Sequence, residues 1–259
     1  CRVRLILGTD EERSCACMRY YAAHGEVPDF AITPDSVFPV IFSEKGILQL
    51  RIYGENRNGF KAHGGSAVNI VPNSARCTVN GKEFHVLGKA AHASKPALGT
   101  NAIALLADAM ENDGVDLHDY PVMQFIKDFH TADFTGIAAE TEFGALTRNV
   151  GLLHAGEGEC EVRIDFRIPA SADCNTLIDK VTEMAATYGL RTEVTLNLAP
   201  LLTDKESPEV RKLTAIWERH MDRFAGFKEE YRRLHRDPAA VGVGTYARHI
   251  PNTIAFGIQ

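Results

Sequence analysis

The sequence lacks a long hydrophobic run, an excess of basic residues and a regular set of cysteines. No apolar stretch approaches the roughly 18–20 residues of a membrane-spanning helix, so no membrane partner is expected. Lysine and arginine number 28 against 34 acidic residues, and the net charge of −6 argues against nucleic acid as a partner. Six irregularly spaced cysteines are too few for a disulfide framework in 259 residues, which favours a reducing, cytoplasmic setting.

The composition and the periodicity of the chain are those of a globular α/β protein. Hydrophobic residues make up 45% and charged residues 24% of the chain, enough to bury a core. The apolar run at 3–7 and the helical pattern at 14–24 predict a strand followed by a helix. Alternating strands and helical patterns then follow one another through the middle of the chain.

These patterns predict one domain inserted into another. Residues 1–46 and 199–259 are expected to form two pieces of a parallel-sheet domain. Residues 47–198 are expected to form an α+β domain, in which helices cover one face of an antiparallel sheet.

The acidic segment 8–12, Gly-Thr-Asp-Glu-Glu, is the strongest local signal for chemistry. It follows a predicted strand, and open parallel sheets bind ligands at the carboxyl ends of their strands. Adjacent carboxylates repel one another unless a cation or a proton lies nearby. At a metal site, one carboxylate would bind the ion while its neighbour accepts a proton from water. A solvated acidic turn at the start of a helix is the alternative explanation.

Two further residues add to this signal. Asp35 lies in a turn 23 residues after Glu12, a spacing that lets two neighbouring turns supply one acid each to a site. His92 is flanked by small residues, so its ring can reach into a cleft and stabilise an oxyanion. The alternatives are an Asp35 that only stabilises its turn and a His92 that is an ordinary surface histidine.

Six motifs, in order along the chain, resemble the PepV-type dipeptidases. These belong to the dinuclear zinc family of aminoacylases, carboxypeptidases and dipeptidases. The motifs are the acidic segment 8–12, Pro-Asp-Ser-Val-Phe-Pro at 34–39, Glu-Lys-Gly at 44–46, 64–72, 88–96 and 244–248. The resemblance implies a zinc-peptidase-like catalytic domain with an inserted lid domain at 47–198.

The resemblance also implies a metal site. Two divalent ions are expected, with zinc as the first choice and manganese or cobalt as alternatives. Glu11 corresponds to the general base that activates water. Glu12 corresponds to a ligand of one metal ion and Asp35 to a ligand of the other.

Substrate-binding residues follow from the same resemblance. His92 and Asn69 correspond to the residues that hold the tetrahedral oxyanion, and Arg167 to an arginine that binds the substrate carboxylate. Gly244 and Thr245 correspond to a loop that approaches the substrate backbone. The expected substrate is a small peptide, and the expected assembly is a monomer or a homodimer.

Some features depart from the family pattern. Metal ligands that the family carries upstream of the two glutamates and near the C-terminus have no counterpart here, so the 259-residue chain by itself is expected to be inactive. The stretch from Asn69 to His92 is shorter than in a PepV-like lid, which predicts an omitted loop near Phe84 and His85. A deacylase of N-acyl amino acids and a non-catalytic relative remain as alternative functions.

Overall fold

The computed structural model describes residues 2–10, 15–56, 58–138, 141–223 and 236–257. The chain divides into two compact units. Unit 1 comprises Cys1–Lys45 and Leu201–Gln259, and unit 2 comprises Gly46–Pro200. The boundaries predicted from the sequence lie within two residues of this division.

Unit 1 contains a small mixed sheet rather than a purely parallel one. Strand β1 pairs with β14, and β13 pairs with β2, in parallel. Strands β12 and β14 pair with β2 in the antiparallel direction. The strands of unit 1 are β1 (Ala31–Thr33), β2 (Ile41–Glu44), β12 (Leu201–Leu202), β13 (Ala239–Val241) and β14 (Thr253–Ala255).

The described residues of unit 1 include two α-helices. Helix α1 is Ala16–His24, and helix α5 is Pro208–His220. Ser207 caps α5 by accepting a hydrogen bond from the N–H of Val210, and Pro208 occupies the first turn, where it costs no intrahelical bond. The buried face of α5 includes Trp217, whose ring stacks on Phe38 at 4.2 Å.

The prediction of a strand at residues 3–7 was wrong. No strand is assigned between residues 2 and 10, and Val3, Leu5 and Leu7 are 88%, 82% and 80% exposed. A strand of a parallel sheet needs hydrogen-bonding partners and covered faces. No strand of the described residues pairs with this segment, so Val3, Leu5 and Leu7 are not covered by a sheet.

Unit 2 is built on an antiparallel sheet with the strand order β11-β3-β10-β9-β4-β6-β7 within the described residues. These strands are β3 (Gly46–Asn56), β4 (Lys61–Gly64), β6 (Ser74–Val79), β7 (Lys82–Leu87), β9 (Thr147–Ala155), β10 (Gly158–Ile168) and β11 (Arg191–Leu198). A separate two-stranded pair consists of β5 (Ile70–Val71) and β8 (Ala91–His92). The helices of unit 2 are α2 (Ala102–Asn112), α3 (Pro121–Thr131) and α4 (Cys174–Thr187).

The core of unit 2 lies between one face of the antiparallel sheet and its helices. Strand β3 buries every second residue, including Leu48 and Leu50, as the period of two along a strand requires. These side chains join a single cluster with Leu106 of α2, Phe125 of α3 and Leu177 of α4. The predicted α/β class with an inserted α+β domain is therefore confirmed.

The connection between β6 and β7 is a two-residue turn. Asn80 and Gly81 both have positive φ, 49° and 79°, as the tightest hairpin turns require. Strand β7 then continues through Phe84 and His85, which pair in register with Cys77 and Arg76. The described strand is thus continuous at Phe84 and His85, and the omission of a loop there stays a prediction.

Candidate active site

Asp35 lies at the carboxyl end of a parallel strand in unit 1. It follows β1, whose partner β14 runs in the same direction, so both strands end at the same edge of the sheet. Asp35 is exposed, and no hydrogen bond or ion pair holds its carboxylate within the described residues. A carboxylate in this position could serve as a metal ligand, because its oxygens are available and carboxylate oxygens bind divalent ions.

The acidic segment is only partly described. Asp10 accepts hydrogen bonds from the N–H groups of Ala16 and Cys17, at 2.9 and 3.0 Å. Its carboxylate therefore stabilises the first turn of α1, as proposed for an acidic residue before a helix. Glu11 and Glu12, the predicted base and metal ligand, lie outside the described residues.

A buried ion pair joins the predicted substrate loop, residues 244–248, to the end of β2. Glu44, at the end of β2, is fully buried and accepts hydrogen bonds from the N–H and the hydroxyl of Thr245, at 3.1 and 2.6 Å. Arg248 contacts the same carboxylate at 3.3 Å and donates to the carbonyl of Lys45 at 2.8 Å. Burial raises the pKa of Glu44, while Thr245 and Arg248 act in the opposite direction.

These contacts tie down the loop that carries Gly244 and Thr245. Thr245 is 2% exposed and its hydroxyl is engaged by Glu44, so its side chain acts within the fold. Gly244 is half-buried, and a Cβ there would lie 3.2 Å from Nε of Arg248. Any contact of this loop with a peptide backbone would therefore involve its main chain.

In unit 2, Asn69 and His92 are brought together by a short pair of strands. Ile70 of β5 pairs with His92 of β8, and the carbonyl of Asn69 accepts a hydrogen bond from the N–H of Ala93 at 2.9 Å. We call residues 69–71 and 91–93 the Asn69–His92 ribbon. Asn69 therefore lies immediately before β5, beside the strand that carries His92.

The His92 ring has one engaged and one available nitrogen. Its Nδ1 accepts from the N–H of Ser94 at 3.2 Å and lies 2.7 Å from the Ser94 hydroxyl. This network assigns the proton of the neutral ring to Nε2. Within the described residues no hydrogen bond engages Nε2 of His92 or the side-chain amide of Asn69, so two donors are available in the same ribbon.

The pKa of His92 is lowered. Burial of the ring is the largest cause, and the positive charge of Arg167 acts in the same direction. The negative charge of Asp165 opposes both. The lowered pKa favours the neutral ring near pH 7, with its single N–H on Nε2.

Arg167 is held by a buried carboxylate. Asp165, two residues earlier on β10, accepts from Nε of Arg167 at 2.7 Å and from its terminal nitrogen at 3.3 Å. Gln49 on β3 donates to the same carboxylate at 2.9 Å. The side chains of Asp165 and Arg167 are 0% and 5% exposed. Burial raises the pKa of Asp165, while Arg167 and Gln49 oppose this shift.

Asp165 and Arg167 lie on the sheet face opposite the helices. Their neighbours along β10, Ile164 and Phe166, belong to the core on the other face. The sequence alone does not mark Asp165 as part of the site, although its spacing of two residues from Arg167 places both on one face of a strand. Buried Asn149 was also missed, because nothing in its local sequence marks it as more than a polar residue.

A complete metal site is not present within the described residues. No group of three or more histidines, cysteines, aspartates or glutamates lies together there in an arrangement that could hold an ion. Asp35 is the one predicted metal ligand that the structure describes. None of the helices in the described ranges is long and apolar enough to cross a bilayer.

Comparisons with known proteins give matches to the middle and to the whole of the chain. Residues 81–193, which lie within unit 2, match the family described as the peptidase dimerisation domain. "Putative dipeptidase YtjP" from Bacillus subtilis (strain 168) is 28% identical, over 99% of this chain and 62% of its own length. "Putative dipeptidase SH1171" from Staphylococcus haemolyticus is 25% identical, over the same shares of the two chains.

The chain therefore spans less than two thirds of the length of these curated relatives. The alignment with the Bacillus protein runs over 299 positions against 259 residues here, so at least 40 positions of that relative have no counterpart in this chain.

Similar solved structures are more distant in sequence. Aminoacylhistidine dipeptidase from Vibrio alginolyticus is 13% identical, with 88% of this chain and 59% of that chain covered and a TM-score of 0.48. Human carnosine dipeptidase 1 is 9% identical, with 93% and 55% covered and a TM-score of 0.45.

Proposed function

We propose that this chain is part of a metal-dependent dipeptidase that hydrolyses small peptides. Its similarity to curated putative dipeptidases and to the peptidase dimerisation domain supports this proposal. The observation that carries the proposal is the proximity of Asn69 and His92: Asn69 immediately precedes β5, and His92 lies on the strand that pairs with β5. Their side chains offer two N–H donors without partners in the described residues. Hydrolysis of a peptide bond creates a negatively charged oxygen, and donors fixed in advance are what stabilises such a charge.

The remaining residues have complementary roles in this proposal. Glu11 accepts the proton of the attacking water and delivers it to the leaving amine. Arg167 binds the free carboxylate of the peptide, for which its planar guanidinium is suited. The buried Asp165 limits the orientations that this guanidinium can adopt. Gly244 and Thr245 approach the peptide backbone through their main chain.

Metal ions have a defined place in the proposal. Glu12 and Asp35 would hold the two ions, of which zinc is the first choice and manganese or cobalt the alternatives. When bound, such ions lower the pKa of a water molecule and polarise the scissile carbonyl. Asp35 supports this assignment, because its exposed carboxylate lies at the edge where parallel strands end.

The match to a peptidase dimerisation domain supports a homodimer as the assembly. Analytical ultracentrifugation of the full-length protein tests this, and a single monomeric species at micromolar concentration would contradict it.

A substrate panel tests the proposed activity. The full-length protein, loaded with zinc, manganese or cobalt, is assayed on dipeptides and on N-acetyl and N-succinyl amino acids of matched side chain. Preference for dipeptides is expected from the similarity to curated putative dipeptidases. Both substrate classes carry the carboxylate that Arg167 would bind, so the panel separates them by the group on the other side of the scissile amide bond. Preference for the acyl amino acids would favour a deacylase, and absence of hydrolysis with every metal would favour a non-catalytic relative.

A further inference from the structure

Strand β9 holds the Asn69–His92 ribbon through two side chains. Asn149 is 3% exposed, and its amide donates to the carbonyls of Val68 and Ile70, at 3.0 and 2.9 Å. These two carbonyls flank Asn69 on either side. Thr147, two residues earlier and therefore on the same face of the strand, donates to the carbonyl of Ala93 at 3.1 Å.

The Asn149 amide is itself fixed in one orientation. Its oxygen accepts from the side-chain amide of Asn101 at 3.2 Å, so both of its N–H bonds point towards the ribbon. Asn101 also donates to the carbonyl of Val150 and caps α2 by accepting from Ile103 and Ala104. The orientation of Asn149 is therefore set by a residue anchored at the start of a helix.

The main chain leading to Asn69 crosses β9 at van der Waals distance. Gly151 lies at an irregularity in the pairing of β9 with β10, and a Cβ on it would lie 2.1 Å from the carbonyl oxygen of Val68. Gly65 has a φ of +77°, and a Cβ there would lie 1.9 Å from the carbonyl oxygen of Gly151. The two glycines let the segment approach closely enough for Asn149 to reach both carbonyls.

We propose that Asn149 is a positioning residue, which holds the main chain on both sides of Asn69 and thereby fixes the two N–H donors of the ribbon. This inference rests on the proposed function, in which those donors stabilise the oxyanion. Asn149 does not touch the substrate. It acts through the ribbon, because a donor stabilises a developing charge only when its position is fixed before the reaction.

Asn149→Asp is the most direct test, because it keeps the shape of the side chain and replaces both N–H donors with a carboxylate oxygen. In the full-length metal-loaded enzyme, kcat for a dipeptide is expected to fall about 10- to 100-fold, while KM changes less than about twofold. Thr147→Val, which removes only the hydroxyl bond to Ala93, is the second variant if Asn149→Asp does not fold. A smaller fall in kcat is expected for it.

A matched control separates positioning from stability. Val150 is the next residue of β9 and its side chain joins the core on the other face, so Val150→Ala destabilises the same strand without touching the ribbon. This control is expected to keep the parent kcat per folded molecule. Hydrogen exchange gives a readout independent of metal and substrate. Peptides covering 69–71 and 91–93 should exchange at least about tenfold faster in Asn149→Asp, while β3 should be unchanged.

Two results would overturn the inference. One is unchanged exchange of the ribbon in Asn149→Asp. The other is an unchanged kcat in Asn149→Asp when Asn69→Ala, measured in parallel, is impaired. If Asn69→Ala itself retains the parent kcat, the proposed oxyanion role fails instead, and the exchange data still report whether Asn149 holds the ribbon.

Discussion

Loss of the buried carboxylate of Asp165 should strongly destabilise unit 2. Asp165→Ala removes the carboxylate that accepts two hydrogen bonds from Arg167 and one from Gln49. The guanidinium remains in a site where its side chain is 5% exposed, so it cannot regain full hydration. Removing one partner of a buried ion pair costs about 3–5 kcal/mol of the free energy of unfolding. With a urea m-value of about 2 kcal/mol/M, the midpoint should fall by roughly 1.5–2.5 M.

The assay must report on unit 2 specifically. The single tryptophan, Trp217, lies in unit 1, so its fluorescence follows unit 1. Hydrogen exchange with mass spectrometry across a urea series, read from peptides of β3 and β10, follows unit 2 instead. Glu159→Ala is the matched control, because it removes a carboxylate from an ion pair of the same sheet that is open to solvent. Glu159 pairs with Arg51, and its side chain is 54% exposed. Little change in the midpoint is expected for this solvent-screened pair.

A double variant tests the cause of the destabilisation. Asp165→Ala combined with Arg167→Met removes both charges, so it should be more stable than Asp165→Ala by itself. A fall in the midpoint of less than about 0.5 M for Asp165→Ala, about 1 kcal/mol at the same m-value, would refute the argument from burial.

Three further predictions follow from the site. The His92 ring should titrate in NMR below the ordinary histidine pKa, and Arg167→Gln should raise that pKa only part of the way, because burial remains. Because the pKa of His92 is lowered, the folded protein binds the ring proton less tightly than the unfolded chain does. The free energy of unfolding should therefore decrease as the pH falls from the ordinary histidine pKa to the lowered pKa of the folded protein. A His92 pKa at or above the ordinary value would contradict this prediction. Glu11→Ala in the full-length protein should abolish turnover while metal content, measured by mass spectrometry, stays nearly unchanged; substantial residual hydrolysis would rule out the general-base role. Gly151→Ala should speed hydrogen exchange of the Asn69–His92 ribbon, since the new Cβ would lie 2.1 Å from the carbonyl oxygen of Val68, and unchanged exchange would show that the crossing can relax.

Regular elements with a consistent period could be predicted from the sequence. The helical pattern at 14–24 is observed as α1, Ala16–His24. Strand β9 was missed because Gly151 interrupts its alternation and Asn149 is polar yet buried. The prediction at residues 3–7 failed for the opposite reason. An apolar run meets the local requirement for a strand, but pairing depends on partners elsewhere in the chain.

The candidate site could be predicted only where single residues carry the chemistry. Asn69 and His92 belong to motifs, and both lie in unit 2 with Arg167. Their roles in the site stay predictions. Their supports, Asp165 and Asn149, act through contacts between strands that are far apart in sequence. Asp165 contacts Gln49 across 116 positions, and Asn149 contacts Val68 across 81. Local spacing does not encode such pairings.

The kcat of His92→Ala for a dipeptide, measured in the full-length metal-loaded protein, decides whether His92 stabilises the oxyanion. If Nε2 of His92 donates to the oxyanion, kcat should fall about 100- to 1,000-fold, because that contact strengthens in the transition state. KM should change little, and metal content should match that of the parent protein. A variant with the parent kcat would contradict the account.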